Sequence, residues 1–124
     1  MLNPQSLVSI VDDDESVRES LPDLLKMFGF ASQTFSSAEE FLAKDGMSRS
    51  KCLILDVAMP GMGGPELQEE LHRREIEIPI IFITGNRDEP LRSRLIEQGA
   101  VACLIKPFSD DSILDALHAA FRVK

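Results

Sequence analysis

Ile80-Ile81-Phe82-Ile83-Thr84-Gly85 opens with four large apolar residues in a row, so it offers no water-facing side to the alternation of a half-exposed strand. Such a run fits the interior of a parallel sheet covered by helices on both faces. Working outward, it extends back to Ile78, and four further short apolar runs accompany it: Leu7 to Val11, Ala31 to Phe35, Cys52 to Leu55 and Val101 to Ile105. Each is of strand length. The stretches between them change period: Val17, Leu21, Leu24, Leu25 and Phe28 form one helical stripe, and Ile113, Leu117, Ala120 and Phe121 another. Phe41 with Leu42, Leu67 with Leu71, and Leu91 with Leu95 supply shorter apolar faces. Five strands each followed by a helix predict an α/β fold, a doubly wound parallel sheet with right-handed crossovers.

Local punctuation agrees. Ser37 followed by Glu40 matches a capping box, and Pro65 and Pro90 suit the first helical turn. Gly29, Gly46 and Gly99 fall where helices should end in a left-handed cap. Pro22 lies inside the first helical pattern, where its ring predicts a kink without a break.

The chain has 124 residues, 44% hydrophobic and 27% charged, the composition of one globular domain. With 21 acidic against 13 basic residues and a formal charge of −8, it is a poor ligand for phosphate backbones, so no direct nucleic-acid binding is expected. No apolar run reaches membrane-spanning length, and Met1 to Leu7 lacks the basic flank and apolar core of a secretory signal. A cytoplasmic protein is expected. Cys52 and Cys103 stand apart in apolar runs and read as buried small hydrophobes, not as a disulfide or zinc pair.

In a sheet of this kind the functional crevice lies beyond the carboxyl ends of the strands. There the sequence places Asp12-Asp13-Asp14-Glu15, Asp56, Thr84-Gly85 and Lys106-Pro107. Asp14 and Glu15 suit the start of the first helix. If Asp12, Asp13 and Asp56 converge to about 5 Å, each pair repels by roughly 3 kcal/mol at an effective dielectric of 20. Such a site calls for a proton or a cation, and oxygen donors without His or Cys suit Mg²⁺ or Mn²⁺.

IVDDDE after the first strand, LILDVAMPGMGG around the third, FITG at the fourth and LIKPF at the fifth together resemble the receiver domain of bacterial two-component response regulators, across essentially residues 1–124. The spelling MPGMGGPEL and GAVACLIKPF is similar to receivers that precede a helix-turn-helix output, of the type found in nitrogen-fixation regulators. The resemblance implies a flavodoxin-like sheet of order 2-1-3-4-5. It implies that Asp56 accepts a phosphoryl group from a sensor histidine kinase or phosphotransfer protein. Asp13 and Asp56 would hold Mg²⁺ by their side chains, Asp12 mainly through water, and Ala58 through its carbonyl. Thr84 and Lys106 would bind the phosphoryl group, and Lys106-Pro107 would be cis. The implied role is not that of an enzyme with turnover but of an acceptor that promotes its own phosphorylation and dephosphorylation. A phosphorylation-dependent homodimer is implied through the fourth-helix and fifth-strand face, with Leu91, Arg92, Leu95 and Leu104 as candidates.

Two positions depart from the family pattern. Cys103 stands where an aromatic residue usually swings with phosphorylation, and Ala58 offers no polar side chain to an attacking water. A flavodoxin-like cofactor site fits poorly, since the first loop presents acids to a phosphate. Gly61, Gly63 and Gly64 lack the GK[ST] of a nucleotide loop. An aspartyl-phosphate phosphatase would need a carboxylate where Ala58 sits, and a phosphorylation-independent pseudo-receiver would not need the complete set Asp13, Asp56, Thr84 and Lys106. His72, His118 and the run Glu66 to Glu77 read as solvated helix surface.

Overall fold

Parallel strands alternate their side chains between two covered faces, and the apolar runs supply residues for both. The computed structural model describes residues 3–44 and 46–122. In chain order the elements are β1 (Asn3–Val11), α1 (Glu15–Met27), β2 (Phe30–Phe35), α2 (Ala38–Ala43), α3 (Gly46–Arg49), β3 (Cys52–Asp56), α4 (Gly64–Arg73), β4 (Ile80–Thr84), α5 (Glu89–Glu97), β5 (Ala102–Ile105) and α6 (Asp110–Arg122). All pairings are parallel, in the order β2-β1-β3-β4-β5. The five expected helices are α1, α2, α4, α5 and α6, the first four lying in the crossovers, and α3 adds one turn before β3.

Alternation sorts the strand residues cleanly. Val8, Ile10, Cys52, Ile54, Ile81 and Ile83 point to one layer, where Leu21 and Leu25 of α1 and Ile113, Leu117 and Ala120 of α6 cover them. Val11, Leu53, Leu55, Ile80, Phe82 and Cys103 point to the other, under Phe41 of α2, Leu67 and Leu71 of α4, and Leu95 of α5. Every residue of β3 is buried, which is what a central strand with helices on both faces requires.

Several boundaries differ from the sequence reading. β1 begins at Asn3, and its pairing with β2 shifts between Asn3↔Phe30 and Val8↔Ser32. The stretch before Leu7 carries no apolar signal in the sequence, and the strand extends back to the pairing of Asn3 with Phe30. Gly29 and Gly99 adopt the left-handed conformation, with φ of 89° and 109°. Gly46, by contrast, opens α3, while Lys44 caps α2. α1 runs unbroken through Pro22, held by the burial of Leu21 and Leu25 on either side of the ring. In the run Glu66 to Glu77, Leu67, Gln68 and Leu71 are buried, so only part of it is solvated; His72 and His118 are exposed.

Phe82 is fully buried at the centre of β4, so Phe82→Ala should cost about 3–5 kcal/mol in urea unfolding. Met27 is 80% exposed, and Met27→Ala should change stability by less than about 0.5 kcal/mol. Similar losses from both substitutions would contradict the two-layer packing.

Candidate functional site

Strand register brings the predicted residues to one edge before any side chain is considered. Val11 pairs with Leu55, Asp56 with Ile83, and Thr84 with Ile105. Asp12, one residue past β1, is therefore level with Asp56, and Lys106 follows β5 immediately beyond Thr84. From β1 the chain crosses to β2 on one side and later to β3 on the other, so Asp12 and Asp56 border the topological switch point.

Oxygens of Asp12, Asp13 and Asp56 lie within 4.8 Å of one another. Asp12 is fully buried and Asp56 nearly so, whereas Asp13 is exposed. Lys106 Nζ reaches in from the end of β5 to 3.1 Å from Asp12 Oδ2 and 3.8 Å from Asp56 Oδ1; the Lys106-Pro107 peptide is cis. The other Asp12 oxygen, Oδ1, accepts the backbone N–H of Asp14 at 2.9 Å, and the Asp12 carbonyl accepts Arg18 Nη1 at 2.9 Å. Asp14 itself caps α1 by accepting the Ser16 N–H, as its position in the sequence suggested.

Burial, and then the Asp12 carboxylate, push the Asp56 carboxyl up to about 7; Lys106 pulls it back in part. For Lys106, burial works against the ammonium. The hydrogen bond and charge of Asp12, with the charge of Asp56, outweigh this and hold its pKa above the ordinary lysine value. The arrangement is one cation facing three acids, two of them nearly out of water. This chemistry fits a hard divalent cation with oxygen ligands: the site contains carboxylates that repel each other and no His or Cys donor.

Thr84 ends β4, and its Oγ1 accepts the Asn86 N–H at 3.2 Å. Thr84 and Ala58 line a cavity of about 220 Å³ with Leu91, Arg92, Cys103 and Ile105. No ring fills this space, and Cys103 is buried at its wall. Arg92 Nε donates to the Cys103 carbonyl at 3.3 Å, tying α5 to β5. Of the candidate surface residues, Arg92 is exposed and Leu91 half-buried, but Leu95 belongs to the core. Leu104 packs on the layer opposite α5, because adjacent strand residues point to opposite faces.

Sequence reading did not find Arg18 or Glu39 among the groups that hold the site. Glu39 Oε2 of α2 accepts the Met62 N–H at 3.0 Å, in the loop after Asp56. The spacing of Arg18 on the first turns of α1 could have indicated a side chain near the β1 end; the Glu39 contact joins segments 23 positions apart and has no local signal.

A family profile, the response regulator receiver domain, matches residues 8–118. Nodulation protein W of Bradyrhizobium diazoefficiens is 45% identical over 116 residues, covering 94% of this chain and 51% of that protein. The transcriptional regulatory protein FixJ of Rhizobium meliloti is 44% identical over 113 residues, covering 91% and 55%. The crystal structure of FixJ-N superposes with a TM-score of 0.87 at 41% identity, covering 100% of this chain and 98% of that one. The chain belongs to the response regulator receiver domain family. It spans about half the length of the curated relatives it matches. Among the described residues no helix is long and apolar enough to cross a membrane.

Because folding raises the Asp56 pKa from 3.8 to about 7, the folded state favours its protonated form. Its contribution to stability is greatest below 3.8 and declines as pH rises through about 7. In metal-free buffer, Asp56→Asn should therefore melt increasingly above the unsubstituted chain as pH is raised from 5 to 8. A difference in melting temperature that does not grow with pH would contradict the raised pKa.

Proposed function

We propose that residues 1–124 act as the receiver domain of a cytoplasmic phosphorelay, with Asp56 as the phosphoacceptor. The observation that carries this reading is the placement of the Asp56 carboxylate beside Asp12 and 3.8 Å from Lys106 Nζ. One Asp56 oxygen attacks the phosphorus of a phosphohistidine on a sensor kinase or phosphotransfer protein. The O–P bond forms as the P–N bond breaks, and its electron pair remains on the imidazole nitrogen. Bound Mg²⁺, or Mn²⁺ in its place, held by Asp12, Asp13, Asp56 and the Ala58 carbonyl, would supply positive charge to the phosphoryl oxygens.

The protein groups do the rest. Transfer of a phosphoryl group depends mainly on positioning and on neutralising oxygen charge. Lys106, held between Asp12 and Asp56, places its ammonium where a phosphoryl oxygen arrives. Thr84 accepts from Asn86 through an oxygen lone pair and keeps its hydroxyl proton to donate. Asp12 fixes Lys106 by a direct ion pair at 3.1 Å, besides meeting the metal mainly through water. Ala58 presents a methyl group where a water-activating side chain would be needed, which favours a single-turnover acceptor over a phosphatase.

Phosphorylation is read out through movement of Thr84 and the α5–β5 face, where Leu91 and Arg92 are accessible to a second copy of the chain. A ligand shifts a conformational equilibrium only through its different interactions with the two states. The short Cys103 side chain contributes less to that difference than a ring would, so coupling to this face is weaker than in receivers with an aromatic residue there.

Acetyl phosphate with Mg²⁺ should add one phosphoryl group, mapped to Asp56, and Asp56→Asn should remain unlabelled. Full labelling of that variant would overturn the assignment. Mg²⁺ at about a hundredfold excess over Kd should stabilise the fold by roughly 2.7 kcal/mol, and Asp13→Ala should flatten the thermal response; an undiminished response would place the metal elsewhere.

A further inference from the structure

The acidic site depends on a loop as well as on strand ends. Residues 57–63 connect β3 to α4 and carry Ala58, whose carbonyl belongs to the proposed metal shell. One end of this loop is fixed by the sheet, where Val57 N–H donates to the Ile83 carbonyl at 3.0 Å. The other is fixed by α4: Gly63 N–H donates to Glu66 Oε1 at 3.0 Å, and Gly64 N–H to the Val57 carbonyl at 3.0 Å. Between these ends, Met62 N–H donates to Glu39 Oε2 of α2 at 3.0 Å.

Gly61 shows how closely the loop lies against that carboxylate. Its φ is +75°, in the left-handed region, and a Cβ built on it would stand 2.7 Å from Glu39 Oε2. Any side chain at Gly61 would therefore be strained and would push the carboxylate off the loop. The adjacent acid, Glu40, serves the helix start instead. Its Oε1 accepts Ser36 N–H, and its own N–H donates to Ser37 Oγ, closing the first turn of α2. Glu39 makes neither of these two bonds; its carboxyl is held down by the Met62 N–H first and by its own backbone N–H second. The Met62 bond favours the ionised form and holds the Glu39 carboxyl below its ordinary value, so the acceptor is charged at neutral pH.

We infer that Glu39 is a positioning residue for the acidic site, acting as a latch from α2 that holds the residue 57–63 loop, and with it Ala58, in place for metal binding and phosphoryl transfer. This rests on the reading of Asp56 as phosphoacceptor and of its loop as part of the metal shell. Groups behind the ligands of a metal commonly change its affinity by about 10–100-fold. Glu39 is exposed, and water competes for the Met62 N–H, so a smaller effect of about three- to tenfold is expected.

The test uses the 124-residue chain and Mg²⁺ alone, titrated calorimetrically, with Met62 amide exchange as a second readout. Glu39→Ala should weaken Mg²⁺ about three- to tenfold and speed Met62 exchange, while the metal-free melting temperature stays within about 2 °C. Glu39→Gln keeps an oxygen acceptor and should recover affinity to within about twofold of the unsubstituted chain. If Glu39→Ala binds Mg²⁺ as tightly as the unsubstituted chain, or if Glu39→Gln is as weak as Glu39→Ala, the latch is wrong. Asp13→Ala separates the two levels: undiminished Mg²⁺ binding in that variant would fail the underlying reading of the acidic site, whereas loss there with no effect at Glu39 fails only the latch. Should Glu39→Ala fold poorly, Glu39→Ser, whose side chain is too short to reach the Met62 N–H, carries the same test: it should weaken Mg²⁺ about three- to tenfold, and affinity equal to that of the unsubstituted chain would overturn the latch.

Discussion

Two carboxyl groups, Asp12 and Asp56, are held nearly out of water at the ends of adjacent parallel strands, and their mutual repulsion is the constraint the site is built around. Asp56 ends the fully buried β3, and Asp12 directly follows the buried stretch Val8 to Val11 of β1, so both are anchored by the sheet core. Lys106 relieves the repulsion in part, through contacts to both acids. Burial first, and then the remaining repulsion from Asp12, raise the pKa of Asp56. A carboxyl group poised in this way is sensitive to any positive charge placed beside it. The apolar layers make the constraint affordable: side chains such as Phe82, Leu53 and Ile81 each stabilise the fold by roughly 1.5–3 kcal/mol when buried.

Much of this was legible in the sequence because its cause is local. Four apolar residues at Ile80 to Ile83 have only one common environment, and the periods of the α1 and α6 stripes name the faces that meet the sheet. Once the strand order is fixed, Asp12, Asp56, Thr84 and Lys106 must share an edge, since each stands at or just past a strand end. The remainder was not local. β1 extends back to the pairing of Asn3 with Phe30, for which the sequence before Leu7 gives no apolar sign. Gly46 looks the same in sequence whether it ends one helix or begins another. The assignment of Leu104 to the α5 face failed on the alternation of β5, and Leu95 is core because the α5 stripe faces Phe82 and its layer. Arg18 and Glu39 grip backbone groups of other segments, and such contacts are specified by tertiary placement.

The departure at Cys103 has a physical counterpart in the cavity between α5 and β5. A ring at this position would fill space that Cys103 leaves open beside Thr84. Packing defects of this kind lower the energetic contrast between alternative arrangements, because fewer contacts are made or broken as the segment moves. The tie from Arg92 to the Cys103 carbonyl keeps α5 registered to β5 without side-chain packing from that residue. Ala58 lines the same cavity and brings to it only a methyl side chain. Beside this cavity the acidic site keeps its charged groups together, with Lys106 in contact with both Asp12 and Asp56.

The charge balance at Asp56 is open to direct observation by carbon NMR of its labelled carboxyl group during a pH titration. The account predicts a midpoint near 7 without metal, displaced downward by Mg²⁺ and upward in Lys106→Met. A midpoint near the ordinary carboxylate value of 3.8, unmoved by either change, would contradict it.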